Sequence, residues 1–293
     1  MLYIVDGTGV WNEDQYKLDM ATGFCKSIEF ECLPNSYYER GPSWFGGSGK
    51  QVASLVYEIM KRPKEKVFLC GYSRGGASVI MVAAALKLVN RPVEALFLFD
   101  PVDSDLTLVQ TETIPANVKV AYYARRNPIY GDLYDAQAAR QRDKAARSGV
   151  DAAKKILSLN VIPGVPSVLP INPVKVREAA KSVGQFVTST RDAVLSEKKS
   201  FDWKHGMARR LMFENCGLKA APGVRFVGPE LFDGTHAAMG GVTWPEEAYP
   251  HRTLLAADKR CIAAVNGWMR SKYHESGLIS EMIAGQSNSR SIA

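Results

Sequence analysis

Gly71-Tyr72-Ser73-Arg74-Gly75-Gly76 constrains this chain more than any other stretch of it. It follows the apolar run Val67 to Cys70 and opens the small-residue run Ala77 to Leu86, so the serine stands on a sharp turn from a strand into a helix. Such a turn leaves space only for very small neighbours two residues before and two or three after, and Gly71, Gly75 and Gly76 fill those places. The helix that begins here aims N–H groups without intrahelical acceptors at the same spot. The Arg74 N–H is therefore a candidate donor to the oxyanion of an acyl-transfer intermediate. A phosphate-binding loop would need Lys followed by Ser or Thr after its glycines, and that pair is missing.

Short β-rich runs recur around this turn at Leu2 to Val5, Val67 to Cys70, Ala95 to Phe99, Val118 to Tyr123 and Val224 to Val227, with helical stretches between them. That alternation predicts an α/β protein, a mostly parallel sheet with crossover helices on both faces. Gly49 to Met60 carries Val52, Leu55, Val56 and Ile59 at the spacing of a helix that packs one face on a sheet. A further helix is expected over Ala77 to Val89, and a last one over Leu254 to Met269 covering the sheet edge. The 293 residues suit one such core with an insertion. Residues 1–133 read as its first part and 201–293 as its last.

The segment 134–200 departs from the rhythm, because a charged helical run is followed by Ile156 to Ile171, broken by Pro163, Pro166 and Pro170. It reads as an inserted helical cap or lid over the strand C-termini, where a site in such a sheet must lie. From Arg140 to Lys199, 12 Lys and Arg face 5 Asp and Glu, an excess that matches the net charge of +7 of the whole chain. A localised basic face suits anionic partners such as phospholipid head groups, nucleic acid or an acidic protein surface, and a solvated helix face is the plain alternative. Nucleic acid is not the expected partner.

The 5 cysteines form no C-x-x-C pair, which argues against a disulfide framework and a zinc site. The first residues lack a basic n-region and a cleavage site, so cytoplasmic synthesis is expected, with signal-independent export or membrane association left open.

A serine is a poor nucleophile at neutral pH without an imidazole base held in one tautomer by a carboxylate. Of 4 histidines, His236 lies in a glycine-flanked loop just after the strand at Val224 to Val227, where this kind of fold presents a base. His205, His251 and His274 sit in surface or capping contexts. Asp100 ends the strand Phe97-Leu98-Phe99 and is followed by Pro101, which removes a donor and stops the strand. Its place in the order Ser, Asp, His fits, and Asp103, Asp105 and Asp132 are rivals. The second oxyanion donor is expected from the turn after the first strand, at Gly7 or Thr8, with Asp6 orienting that turn. No metal or cofactor is called for.

Together Val5-Asp6-Gly7-Thr8, Tyr37-Tyr38 with Gly41, Gly71-Tyr72-Ser73-Arg74-Gly75, Phe99-Asp100 and Gly234-Thr235-His236 resemble the bacterial and fungal α/β-hydrolases with a Gly-Phe-Ser-Arg-Gly elbow that include type VI secretion lipase effectors. The resemblance covers about the first 125 residues and the His236 region. It implies an α/β-hydrolase fold and a Ser73, Asp100, His236 triad acting on a lipid or other acyl ester, most simply a phospholipid, with an assembly or immunity protein as a partner. A soluble acyl ester or thioester is the second substrate reading. A non-catalytic hydrolase-like module that binds through its basic insertion is the third.

Overall fold

β1 (Leu2–Val5) and β3 (Phe68–Tyr72) are runs of wholly buried residues, as strands covered on both faces must be. The computed structural model describes residues 1–43, 47–103, 111–127, 214–242 and 252–283. All of them belong to one compact unit formed by residues 1–130 and 203–293. The expected cap, 134–200, lies outside the described residues.

β1 and β3 are joined by β2 (Ser36–Glu39), β4 (Val93–Phe99), β7 (Val118–Arg126) and β10 (Arg225–Phe232) in the order β10-β7-β4-β3-β1-β2. Every pairing in this sheet is parallel. Two short pairs lie beside it: β5 (Val102–Asp103) with β8 (Glu214–Asn215), and β6 (Thr113–Ile114) with β9 (Lys219–Ala220). The sequence reading missed β2, because Ser-Tyr-Tyr-Glu at the sheet edge is only half-buried and carries no apolar run.

Each face buries its own core. On one, α3 (Gly49–Met60) and α4 (Arg74–Leu88) cover Tyr3, Val5, Leu69, Leu96 and Leu98. On the other, α2 (Phe24–Glu31) and the long C-terminal helix α6 (Arg252–Glu275) cover Ile4, Cys70, Phe97 and Tyr122. There the Phe97 ring stacks on Tyr122 at 5.5 Å and meets the Tyr273 edge at 4.8 Å. The last helix was expected over the sheet edge, but Val265, Met269 and Tyr273 bury it against the sheet face. A short helix α1 (Glu13–Asp19), capped by the Asn12 side chain, and α5 (His236–Met239) also belong to this unit, and a further short helix covers 278–283. All 5 cysteines are buried and free. Among the described residues no helix is long and apolar enough to cross a membrane.

Candidate active site

The parallel strands deliver the predicted residues to one end of the sheet. Ser73 directly follows β3 and stands at φ 57°, ψ −128°, the N-cap of α4. This left-handed conformation strains any residue with a side chain. A Cβ on Gly75 would run into the Val5 and Asp6 carbonyl oxygens, and one on Gly71 would come within 2.5 Å of the Gly75 carbonyl oxygen. The glycines thus let α4 start against the end of β1. Ser73 is fully buried, and its Oγ makes no hydrogen bond among the described residues.

In register, Tyr72 of β3 faces Phe99 of β4, so Asp100 is the counterpart of Ser73 one strand over. It too has positive φ, 42°. The two corners are tied by backbone bonds from Ser73 N to Phe99 O (3.1 Å) and from Val102 N to Ser73 O (3.1 Å). Pro101 fits under α4 only because Gly76 is there, since a Cβ at 76 would come within 2.6 Å of the proline ring.

His236 opens α5, four residues beyond β10. Thr235 caps that helix by accepting from Ala238 N at 3.3 Å, and Asp258 of α6 in turn holds Thr235 by its N–H (2.8 Å) and its hydroxyl (2.6 Å). The imidazole lies against the Tyr72 ring at 4.9 Å, and the Tyr72 hydroxyl donates to the His236 carbonyl at 3.0 Å. Its Nδ1 is 2.7 Å from Asp100 Oδ2. A carboxylate oxygen accepts at that distance, so Nδ1 carries the proton and Nε2 presents its lone pair.

Asp100 has two further partners that the sequence reading did not find. Arg126 Nη1, at the end of β7, donates to Oδ2 at 2.6 Å, and Asn215 Nδ2, in β8, donates to Oδ1 at 2.8 Å. Burial pushes the Asp100 carboxyl up, but Arg126 first, then His236 and Asn215, outweigh it and hold the group at about 2. Of the rival acids, Asp103 lies in β5 opposite Glu214 in register, and Asp105 and Asp132 are outside the described residues. His274 is exposed on α6; His205 and His251 are outside the described residues.

The turn after β1 is rigidly held. Tyr38 donates to Asp6 Oδ2 at 2.8 Å, Tyr16 donates to the Gly7 carbonyl at 2.9 Å, and Gly41 N donates to the Tyr16 hydroxyl at 2.8 Å. Burial raises the Asp6 carboxyl to about 6, against the lowering influence of the Gly7 N–H and the Tyr38 hydroxyl. The Gly7 N–H, one of the two expected oxyanion donors, is committed to Asp6 Oδ1 at 2.7 Å. That corrects the expectation at Gly7, since a donor already engaged by a carboxylate has nothing left for a substrate oxygen. Thr8 keeps its N–H without an acceptor among the described residues, and its buried Oγ1 likewise has no partner. A cleft of about 400 Å³ is lined by Tyr16 and Tyr38 with Lys17, Lys26 and Arg40 set among Glu13 and Glu39, and none of the three predicted triad residues lines it. No group of three or more His, Cys, Asp or Glu is placed to hold a metal ion among the described residues.

An all-parallel sheet whose central strand ends in a strained serine elbow, with a histidine loop after the last strand, is the α/β-hydrolase fold. No protein-family model and no curated protein matches the chain. Among solved structures it is similar to a YdeN-like hydrolase of Pectobacterium atrosepticum, at 15% identity over 44% of this chain and 65% of that one, with a TM-score of 0.30. It is also similar to the NocB thioesterase domain from the nocardicin cluster, at 12% identity over 91% of this chain and 94% of that one, TM-score 0.28. The same domain in covalent complex with a fluorophosphonate nocardicin G analogue gives 13% identity, the same coverage and a TM-score of 0.29. Likenesses this distant say nothing about what this chain acts on.

Proposed function

We propose that this protein is a serine hydrolase that cleaves carboxylic esters or thioesters through an acyl-enzyme. The observation that carries the reading is the 2.7 Å bond between His236 Nδ1 and Asp100, two residues 136 apart in sequence that meet beside a buried serine held at positive φ. In this reading Ser73 Oγ attacks the substrate carbonyl carbon while His236 Nε2 takes its proton. The N–H groups of Thr8 and Arg74 hold the oxyanion, and collapse expels the alcohol or thiol, protonated by the imidazolium. Water activated by the same Nε2 then releases the acid and restores the serine. The missing hydrogen bond at Ser73 Oγ suits a resting site, in which such contacts tighten on substrate binding.

A lipid ester, a phospholipid foremost, is our choice of substrate. It rests on the sequence resemblance and on the excess charge from Arg140 to Lys199, which would draw the protein to an anionic surface. A scaffold without activity has no use for a strained buried serine, and this weighs against the binding-module reading.

The test is labelling by a fluorophosphonate probe together with turnover of p-nitrophenyl butyrate and a phosphatidylglycerol substrate. Wild type should label and hydrolyse, and Ser73→Ala should do neither while keeping its melting temperature within a few degrees. Equal labelling of the two proteins would remove Ser73 from the chemistry.

A further inference from the structure

Arg126 is 3% exposed, and its Nη1 lies 2.6 Å from Asp100 Oδ2 and 2.9 Å from His236 Nδ1, so a fixed positive charge stands at the junction of acid and base. Since Nδ1 already donates to Oδ2, the contact between Arg126 and His236 is one donor against another, not a bond. Support of Asp100 alone does not require it, because Asn215 already holds the other carboxylate oxygen and the neighbouring carbonyl of Pro101 at 3.0 Å. What the guanidinium adds is charge. It shares the carboxylate that would otherwise stabilise an imidazolium, and it repels one directly.

We propose that Arg126 is a positioning residue of the triad whose fixed charge keeps the His236 imidazole neutral, so that Nε2 remains a base into mildly acidic solution. This rests on the serine-hydrolase reading above. The other titratable groups around the ring do not replace Arg126. The Tyr72 phenol is spent on the His236 carbonyl, and Asp258 of α6 on Thr235. Cys261 of α6 has its thiol raised to about 12 by burial and stays neutral. Among the described residues, the charges in contact with the imidazole are one carboxylate and one guanidinium.

The experiment compares pH profiles of kcat/KM for p-nitrophenyl butyrate, and of the fluorophosphonate labelling rate, in wild type, Arg126→Met and Arg126→Lys. The acidic limb should move up by about 1 to 2 pH units in Arg126→Met, the usual reach of a nearby charge, and stay close to wild type in Arg126→Lys. Near pH 5.5 this would read as a loss of roughly tenfold or more beyond any loss at pH 8. A lower plateau with an unmoved limb in Arg126→Met makes Arg126 a structural clamp and overturns the proposal. Should Arg126→Met fail to fold, NMR titration of His236 in the wild type decides. Titration below the ordinary value of about 6.5 supports the proposal and titration above it overturns it. If wild type neither labels nor turns over at any pH, the hydrolase reading itself has failed.

Discussion

The chain makes two left-handed corners at the same level of adjacent strands, Ser73 at φ 57° and Asp100 at φ 42°, and they are secured in opposite ways. The serine corner is held by its own sequence neighbourhood, since the space it needs is left by Gly71, Gly75 and Gly76. The aspartate corner has one local aid, Pro101, and otherwise depends on Arg126, Asn215 and His236, which lie 26, 115 and 136 residues away in sequence. A corner built from its neighbours is written in a short motif. A corner built from remote partners exists only once the sheet has formed.

The largest effect expected is at the serine corner. Ser73→Ala and His236→Ala should each lower kcat about 10⁶-fold, and the double variant should be no worse, because members of such a unit fail together. Additive losses in the double variant would mean that the two corners do not serve one reaction. Asp100→Asn should cost about 10⁴-fold by favouring the wrong imidazole tautomer. It should also lower stability by about 3 to 5 kcal/mol, because the Arg126 charge is left buried against a neutral amide. Denaturant melts read that second loss, and a stable Asp100→Asn protein would show that the aspartate corner is not held by its ion pair.

A pH titration of stability separates two buried carboxylates of opposite sign. Asp100, held at about 2 and so below its ordinary value of 3.8, contributes stability that is complete above about pH 4 and is lost as pH falls toward 2. Asp6, raised from 3.8 to about 6, does the reverse: the fold binds its proton more tightly than the open chain, and stability falls by about 2 to 3 kcal/mol as pH rises from 4 to 7. Asp6→Asn should flatten that fall, and an unchanged slope would place its cause elsewhere. The smallest effect is steric. Gly76→Ala should cost about 1 to 3 kcal/mol and reduce activity by displacing Pro101 and the carboxylate beside it. Gly49→Ala, where a Cβ meets nothing within 4 Å, should be neutral or stabilising by up to about 1 kcal/mol. Equal costs at the two glycines would mean that Gly76 is not a spacer between the corners.

The same contrast explains what could be read from the sequence. β1 and α3 match their expected bounds, and β3, β4 and β7 fall on their apolar runs, because burial on both faces writes itself as uninterrupted hydrophobicity. β10 was expected at Val224 to Val227 but runs from Arg225 to Phe232 at the sheet edge, where none of its residues is fully buried. α1, α2 and β2 were missed, being short or half-exposed. β7 was expected to end at Tyr123 but runs on to Arg126, and that extension hid the guanidinium on Asp100. Arginine at a strand end reads as a solvent-facing residue. The signal available was its place, a charge closing a buried strand on the edge where the serine emerges. Asn215 and Asp258 had no local signature at all.

The backbone of the turn after β1 lies directly against Gly41, where a Cβ would overlap the Gly7 and Asp6 carbonyl oxygens. Main chain packed on main chain has no rotamers to sample, and the Tyr16 hydroxyl bridges the same two strands of chain. The Thr8 amide is therefore oriented before anything binds. In the proposed reaction little reorganisation is then left for the moment when charge builds on a substrate oxygen, and loosening this contact should slow turnover far more than it weakens substrate capture.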